Sequence, residues 1–566
     1  MTLTTLNRLP VITPITLALC AWSSGVHAQS MPLPPNAGQV LRELQPSPAL
    51  QTPQAPLLPQ PDIQRPAPAT SDEATVLVKS FVITGNQELS TAELQALVAN
   101  LTSTEQSLTQ LSAVAQRITA YYRARGFAAV RAYLPAQDIT SGVVTIQIIE
   151  GKLASQRLNN QSRLSSERAQ AYLDKIRPDD VIESSKIDRS VLLLQDTPGV
   201  GASRATLLPG ASVGTSDLLI ELDAAPAYGG TATLDNYGSR YTGVYRLGAS
   251  FNLASPLRIG DQLSFMGLTS GQNLRFDRLA YQAPLGSNGL RVGAAYLQTN
   301  YQLGKEFSLL VANGSANSVS IFSAYPFLRS KFSNLSGTVS LEHKHTIDRI
   351  GSTLTLTDKN VAVTSLGLVG SRQDAWNDGG INAFELNLAL GNLSINSPAA
   401  LAIDALSSQS NGRYSRLTYS ASRLQRLSDA TALSVLLSGQ LASKNLDSSE
   451  KFSLGGASGV RAYPQGEGIG DEGQRIAIEL QQSLAVGLQG IVFYDVGRIT
   501  INKSPFDPST DNSRTLAGLG IGLNASFSKV QLRSSLGWRT HGGSPISVPS
   551  SDAKHPTLWV MASVAF

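Results

Sequence analysis

Two side chains of opposite charge are set apart by where they lie. Arg461 sits within Ser458-Gly459-Val460-Arg461-Ala462-Tyr463-Pro464-Gln465-Gly466-Glu467-Gly468, and Asp495 follows within Phe493-Tyr494-Asp495-Val496-Gly497. A guanidinium offers a planar fork of donors that matches a carboxylate, so the pair could form a bidentate ion pair. The arginine segment is rich in Gly, Pro and acidic residues and too long for a tight hairpin, so it must fold against something. Asp495 lies in a strand that is otherwise apolar at alternate positions, and it shares its face with Phe493. A bare carboxylate turned toward lipid costs several kcal/mol, so Tyr494 and Val496 are expected outside and Asp495 inside. Two readings stay open on the residues alone. Arg461 and Asp495 pair, or they are a solvated loop charge and a separate charge on a wet inner face.

Other chemistry finds little footing. Gly468-Ile469-Gly470-Asp471-Glu472-Gly473 matches GxGxxG by letter. A dinucleotide site needs an apolar strand before it and a helix after it, whereas Ile476, Ile478 and Leu480 follow at period two, so the segment reads as a loop. His343 and His345 share a strand face and could clip a metal, but no third ligand stands near. No nucleophile elbow, zinc motif or paired carboxylates appear, so neither an enzyme nor a bound cofactor is expected. Cys20, the one cysteine, falls in the leader; Leu19 before it argues against a lipid-anchor site, and the chain beyond is free of thiol chemistry.

The leader carries Arg8, an apolar stretch from Leu9 to Trp22, and the small-residue site Val26-His27-Ala28. This is the pattern of a secretory signal peptide over residues 1–28. Only 15% of the 566 residues are charged and the net charge is +4, too weak a balance for nucleic acid. No later run is apolar enough for a membrane helix. A membrane barrel is compatible, since its strands need only about 10 residues each and alternate in polarity.

The elements that must position Arg461 and Asp495 come in three blocks. Residues 29–74 form a proline-rich linker, with 11 of the 28 prolines between Met31 and Thr70. Its proline-free interruption, Asn36–Leu44, sets Val40, Leu41 and Leu44 at helical spacing, either as a transient helix or as one that docks. Residues 75–151 read as strand, helix, helix, strand, strand. Ser90 and Glu93 suggest a capping box, Leu111, Ala115, Ile118 and Tyr122 a second helix ending at Gly126, and Val144, Ile146 and Ile148 a strand face. Residues 152–226 repeat that order, with Ile187, Val191 and Leu194 on one helix, so the two units form an internal repeat.

From residue 227 to 566 the pattern is period two, with no helical segment expected. Leu247, Phe251 and Leu253 alternate with Gly248, Ser250 and Asn252; Phe384, Leu386, Leu388 and Leu390 alternate with Glu385, Asn387 and Ala389. Leu433, Val435, Leu437 and Leu441 share another face, as do Val530, Leu532, Leu536 and Trp538. The final strand, Leu558, Val560, Ala562, Val564 and Phe566, ends on an aromatic. Stripes this long, with small polar residues opposite, fit a transmembrane antiparallel β-barrel of about 16 strands better than a soluble sandwich. The fold class is therefore mainly β, a C-terminal barrel after two α+β units.

Together these features resemble the two-partner secretion transporters of the ShlB/FhaC/HecB hemolysin secretion/activation family. Ala132–Ile139 and Val144–Gly151 are similar to that family's first POTRA domain, and Phe566 is similar to the terminal signal for barrel insertion. The resemblance implies an outer-membrane barrel with periplasmic POTRA domains that exports one exoprotein, an adhesin or a hemolysin. It implies lipid and the barrel assembly machinery as further partners, and Asn36–Leu44 as a plug helix. It also implies that Arg461 at the tip of an infolded loop pairs with Asp495, flanked by Gly459, Val460, Tyr463, Phe493 and Gly497. Ala462 stands where many members have Gly, which weakens the analogy at the tip. An assembly factor of the BamA or TamA type is the alternative, since it shares the barrel and loop.

Overall fold

The computed structural model describes residues 34–44 and 75–566, apart from 272 and 510. The expected signal peptide and most of the proline-rich linker lie outside the described residues. Helix α1 (Ala37–Leu44) precedes the first unit in the chain.

In the first unit, Ser80–Thr84, Val143–Glu150 and Val130–Tyr133 form a mixed sheet in that order, covered by α2 (Thr91–Val98) and α3 (Leu108–Ala124). Alternate residues of the central strand, Val144 and Ile146, meet Leu94, Ile118 and Tyr122 from the helices in one core. The Tyr122 hydroxyl donates to Glu150 at 2.8 Å, which also accepts from the backbone of Gln87 and Glu88. Gly126, at φ +97°, ends α3 in the left-handed region. One expectation needs correction. Ser90 caps α2, but Glu93 does not reach back; it accepts from the Tyr121 hydroxyl at 2.6 Å instead. The reciprocal capping box belongs to Ser107 and Gln110 on α3. A short strand, Thr104–Ser107, precedes that cap and pairs with Thr75–Val78.

The second unit has the same layout. Lys152–Asn160, Thr215–Ala224 and Val200–Pro209 form its sheet, with α4 (Ser166–Leu173) and α5 (Ser184–Gln195) against it. The end of α5 rests on the barrel rim. The Arg329 guanidinium donates to both Asp196 carboxylate oxygens at 2.7 and 2.8 Å, and Lys331 pairs with Asp188 at 3.0 Å.

Sixteen antiparallel strands then close into a barrel. Barrel strand 1 (Tyr228–Asp235) pairs with barrel strand 16 (Thr557–Ala565) from Asp235↔Met561 to Thr231↔Ala565. Phe566 extends this seam, exchanging two backbone hydrogen bonds with Gly230. Leu386, Leu388 and Leu390 are exposed on the outer wall while Ala389 and Leu393 are buried inside, the alternation a lipid-facing strand requires. Short turns lie at the end joined to the N-terminal units and longer loops at the other. The expectation of no helix in this region is overturned by α6 (Pro398–Leu406), in the loop between barrel strands 9 (Gly380–Ile395) and 10 (Gly412–Arg426). Its Pro398 fits the first turn, and buried Asp404 accepts from Ser408, Ser410 and Asn411 to close the loop behind it.

Candidate functional site

The loop between barrel strands 11 (Thr431–Ala442) and 12 (Glu472–Ala485) folds back into the lumen and carries Arg461 at its tip. Asp495, on barrel strand 13 (Leu488–Thr500), faces the lumen with no solvent exposure, and Val492 and Tyr494 face out. The Arg461 guanidinium donates to both Asp495 oxygens at 2.8 Å, and its backbone N–H adds a third bond at 3.1 Å. A second carboxylate, Glu479, accepts from the same guanidinium at 2.6 Å. Beneath it lies the Phe493 ring, its centroid 3.5 Å from the guanidinium carbon. Trp559, on the last strand, donates to the Arg461 carbonyl at 2.8 Å. A charge this deeply enclosed is tolerable because two carboxylates and an aromatic ring surround the guanidinium.

Glycines let the tip approach the wall. A Cβ on Gly518 would lie 2.3 Å from that of Ala462, and one on Gly497 2.3 Å from Leu454. Gly459 closes the loop's own turn, where a Cβ would meet the Leu454 carbonyl at 2.2 Å. Val460 is buried with Leu454, Ile499 and Leu516, and the Tyr463 hydroxyl donates to the carbonyls of His541 and Gly543 at 2.7 and 3.0 Å. The structure thus gathers Arg461, Asp495, Gly459, Val460, Tyr463, Phe493 and Gly497 at one place. Phe566 lies apart, exposed on the outer seam. His343 and His345 also lie on the outer wall, the latter 3.1 Å from Asp358. Among the described residues no group of three or more His, Cys, Asp or Glu could hold a metal ion.

Residues not singled out from the sequence hold the rest of the loop. Glu450 is fully buried between Lys344 at 2.8 Å and Arg416 at 3.1 Å, and Asp447 pairs with Lys359 at 2.8 Å. Burial alone would raise the Asp447 carboxyl, but Lys359 and the Ser449 donors hold it at about 2. Glu467 accepts from the backbone of Ile546 and Ser547 and pairs with Arg514. Strand parity did carry a signal for Glu479: Ile476, Ile478 and Leu480 face out, which turns Glu479 inward.

Helix α1 fills the space beside this loop. Val40, Leu41 and Leu44 are buried against Phe276, Leu297 and Tyr301 on the wall. Asn36 caps the helix reciprocally with Gln39 and accepts from Ser448 of the infolded loop at 2.7 Å. The Ala37 N–H donates to Asp348 at 2.7 Å. Desolvation lowers the Arg42 guanidinium to about 10, and burial pushes the Glu43 carboxyl up to about 7 against the opposing pull of Gln465 and Arg246.

A closed barrel, filled by a helix and an infolded loop and joined to two small α+β units, defines a POTRA-bearing outer-membrane transporter. The chain matches the model of the haemolysin secretion/activation protein ShlB/FhaC/HecB over residues 214–525, and that of the ShlB-type POTRA domain over 76–151. It belongs to that family: it is a two-partner secretion transporter of the outer membrane, with its POTRA region in the periplasm. It is 30% identical over 451 residues to the heme/hemopexin transporter protein HuxB of Haemophilus influenzae (strain ATCC 51907 / DSM 11121 / KW20 / Rd), covering 78% of this chain and 79% of that one. It is 25% identical over 473 residues to the outer membrane transporter CdiB of Dickeya dadantii (strain 3937), covering 80% of each. In fold it is similar to CdiB from Escherichia coli, with a TM-score of 0.71 at 21% identity over 91% of this chain and 94% of that one.

Proposed function

We propose that this transporter exports one large exoprotein that reaches it unfolded in the periplasm. Residues 75–151 and 152–226 act as two POTRA domains ahead of the barrel at 227–566. The exoprotein, of adhesin or hemolysin type, adds a strand to Ser80–Thr84, an edge strand that among the described residues pairs only with Val143–Glu150. It then threads the lumen once α1 has left, the linker giving that helix room to withdraw. Arg461, gripped by Asp495 and Glu479, locks the infolded loop in its working position. Phe566 marks the chain for insertion by the barrel assembly machinery. The activity is transport without a catalytic step.

The observation that supports this most is the filling of the lumen by two segments held by separable contacts, one of them on a long linker. Substrate passage therefore requires displacement of at least α1. The test is co-expression with candidate exoproteins, assayed in the medium. Deleting residues 76–224 should abolish export of one cognate protein and leave the other outer-membrane barrels unchanged. Depletion of many barrels would favour the BamA-type assembly role.

A further inference from the structure

On the outer wall, four residues of adjacent strands form one register row. His343 of barrel strand 7 (Ser333–Ile350) pairs with Ala362 of barrel strand 8 (Thr355–Asp374), Ala362 with Asn392, and Asn392 with Arg413. All four are exposed. One step along each strand toward the N-terminal units, the outward residues become Leu341, Thr364, Leu390 and Ser415, and beyond them Val339, Leu366, Leu388 and Leu417. The row is therefore the first with no large apolar side chain, above one that mixes Leu341 and Leu390 with Thr364 and Ser415 and a fully apolar one below that. With strands about 4.8 Å apart, its two basic residues lie roughly 14 Å from each other. The small Ala362 between them leaves a shallow concavity of about 880 Å³, whose lining includes Ile321, Leu341, Leu390, His343, Asn392 and Arg413.

Among the described residues, neither the His343 imidazole nor the Arg413 guanidinium has a hydrogen-bond or ion-pair partner within the protein. The neighbouring His345 does, in Asp358. A guanidinium at the membrane boundary is a donor fork suited to phosphate oxygens, and the amide of Asn392 suits a hydroxyl. The row lies toward the loop end of the barrel, opposite the periplasmic units, so the leaflet it meets is the outer one. We propose that this concavity binds the headgroup of a phosphorylated glycolipid of the outer leaflet. One phosphate lies on Arg413 and another on His343, sugar hydroxyls on Asn392, and acyl chains along Ile321, Leu341 and Leu390. A span of roughly 14 Å exceeds one phosphate, which favours a headgroup carrying several polar groups over a free anion.

The test uses the full-length protein in detergent, with lipid retention read by native mass spectrometry. The probes are bisphosphorylated lipid A, its dephosphorylated form, and excess inorganic phosphate as competitor. Wild type should retain lipid A, and H343Q/R413Q should retain about tenfold less. R349Q, another basic residue on the same strand as His343, should retain it normally. Wild type should retain dephosphorylated lipid A about tenfold less than lipid A, a comparison that holds even if the double variant folds poorly. Equal retention by H343Q/R413Q, or equal retention of the dephosphorylated lipid, would overturn the proposal. Displacement by inorganic phosphate would also overturn it, in favour of a free-anion site.

Discussion

Gly38 faces Ser448 so closely that a Cβ at position 38 would lie 2.6 Å from the serine hydroxyl and 2.7 Å from the Ser449 backbone nitrogen. Helix α1 therefore rests on the infolded loop as much as on the barrel wall, and a glycine makes the contact possible.

Substituting Gly38→Val tests that contact. The branched side chain has no space against backbone, so the helix must leave its seat rather than adjust. The expected result is a several-fold rise in conductance in planar bilayers with the barrel still inserted. Gly38→Ala should act in the same direction and more weakly. Unchanged conductance in both would mean that α1 does not obstruct the path.

Docking of α1 should depend on pH through Glu43. Docked, its carboxyl keeps a proton up to about 7, against an ordinary value near 4.5. The docked state thus binds more protons between those limits, so docking is strongest below about 4.5 and weakens as pH rises through about 7. Arg42, lowered only to about 10, and Asp447, held at about 2, keep their charges in that window. Conductance should therefore increase from acidic toward neutral pH, and Glu43→Gln should flatten the profile. A Glu43→Gln variant with the wild-type profile would assign the titration to another group.

Much of this arrangement was legible from periodicity, because the barrel wall separates lipid from water and a strand must alternate accordingly. The same parity turned Asp495 inward beside Phe493. What parity does not carry is register: Glu479 lies across from Phe493 only once barrel strands 12 and 13 have paired. The seat of α1 was equally hidden, since the Ala37 bond to Asp348 joins residues 311 positions apart. Helix α6 escaped because Pro-Ala-Ala-Leu-Ala-Ile-Asp-Ala-Leu is short and apolar on most faces, with little periodic contrast. Ser90 and Glu93 matched the capping-box pattern, yet tertiary structure offered Glu93 a better donor in Tyr121.

Asp196 should couple the second N-terminal unit to the barrel. Removing it by Asp196→Ala leaves buried Arg329 with only Asn334 and the Ser330 carbonyl as partners among the described residues. A loss of about 2 kcal/mol in the contact is expected. Spin labels on α5 and on the adjacent barrel rim should show a broadened distance distribution, with reduced export. A sharp, unshifted distribution would mean that the remaining contacts, including Lys331–Asp188, suffice.

The proposed role of Arg461 makes the strictest demand. Asp495 is fully buried, so Arg461→Ala strands a carboxylate whose exposure the loop itself prevents, at a cost of about 3–5 kcal/mol. Arg461→Lys keeps the charge but loses the fork that reaches Asp495 and Glu479 together, so export should fall with Lys as well as Ala. Insertion, read as heat-modifiable mobility on gels, should persist in both. Adding Asp495→Asn to Arg461→Ala removes the stranded charge, and the double variant should melt higher than Arg461→Ala alone. Glu479→Gln should be milder, because that carboxylate is partly exposed and Asp495 still holds two of the guanidinium nitrogens. Normal export by Arg461→Ala would remove the loop lock from the mechanism, whatever the melting temperatures showed.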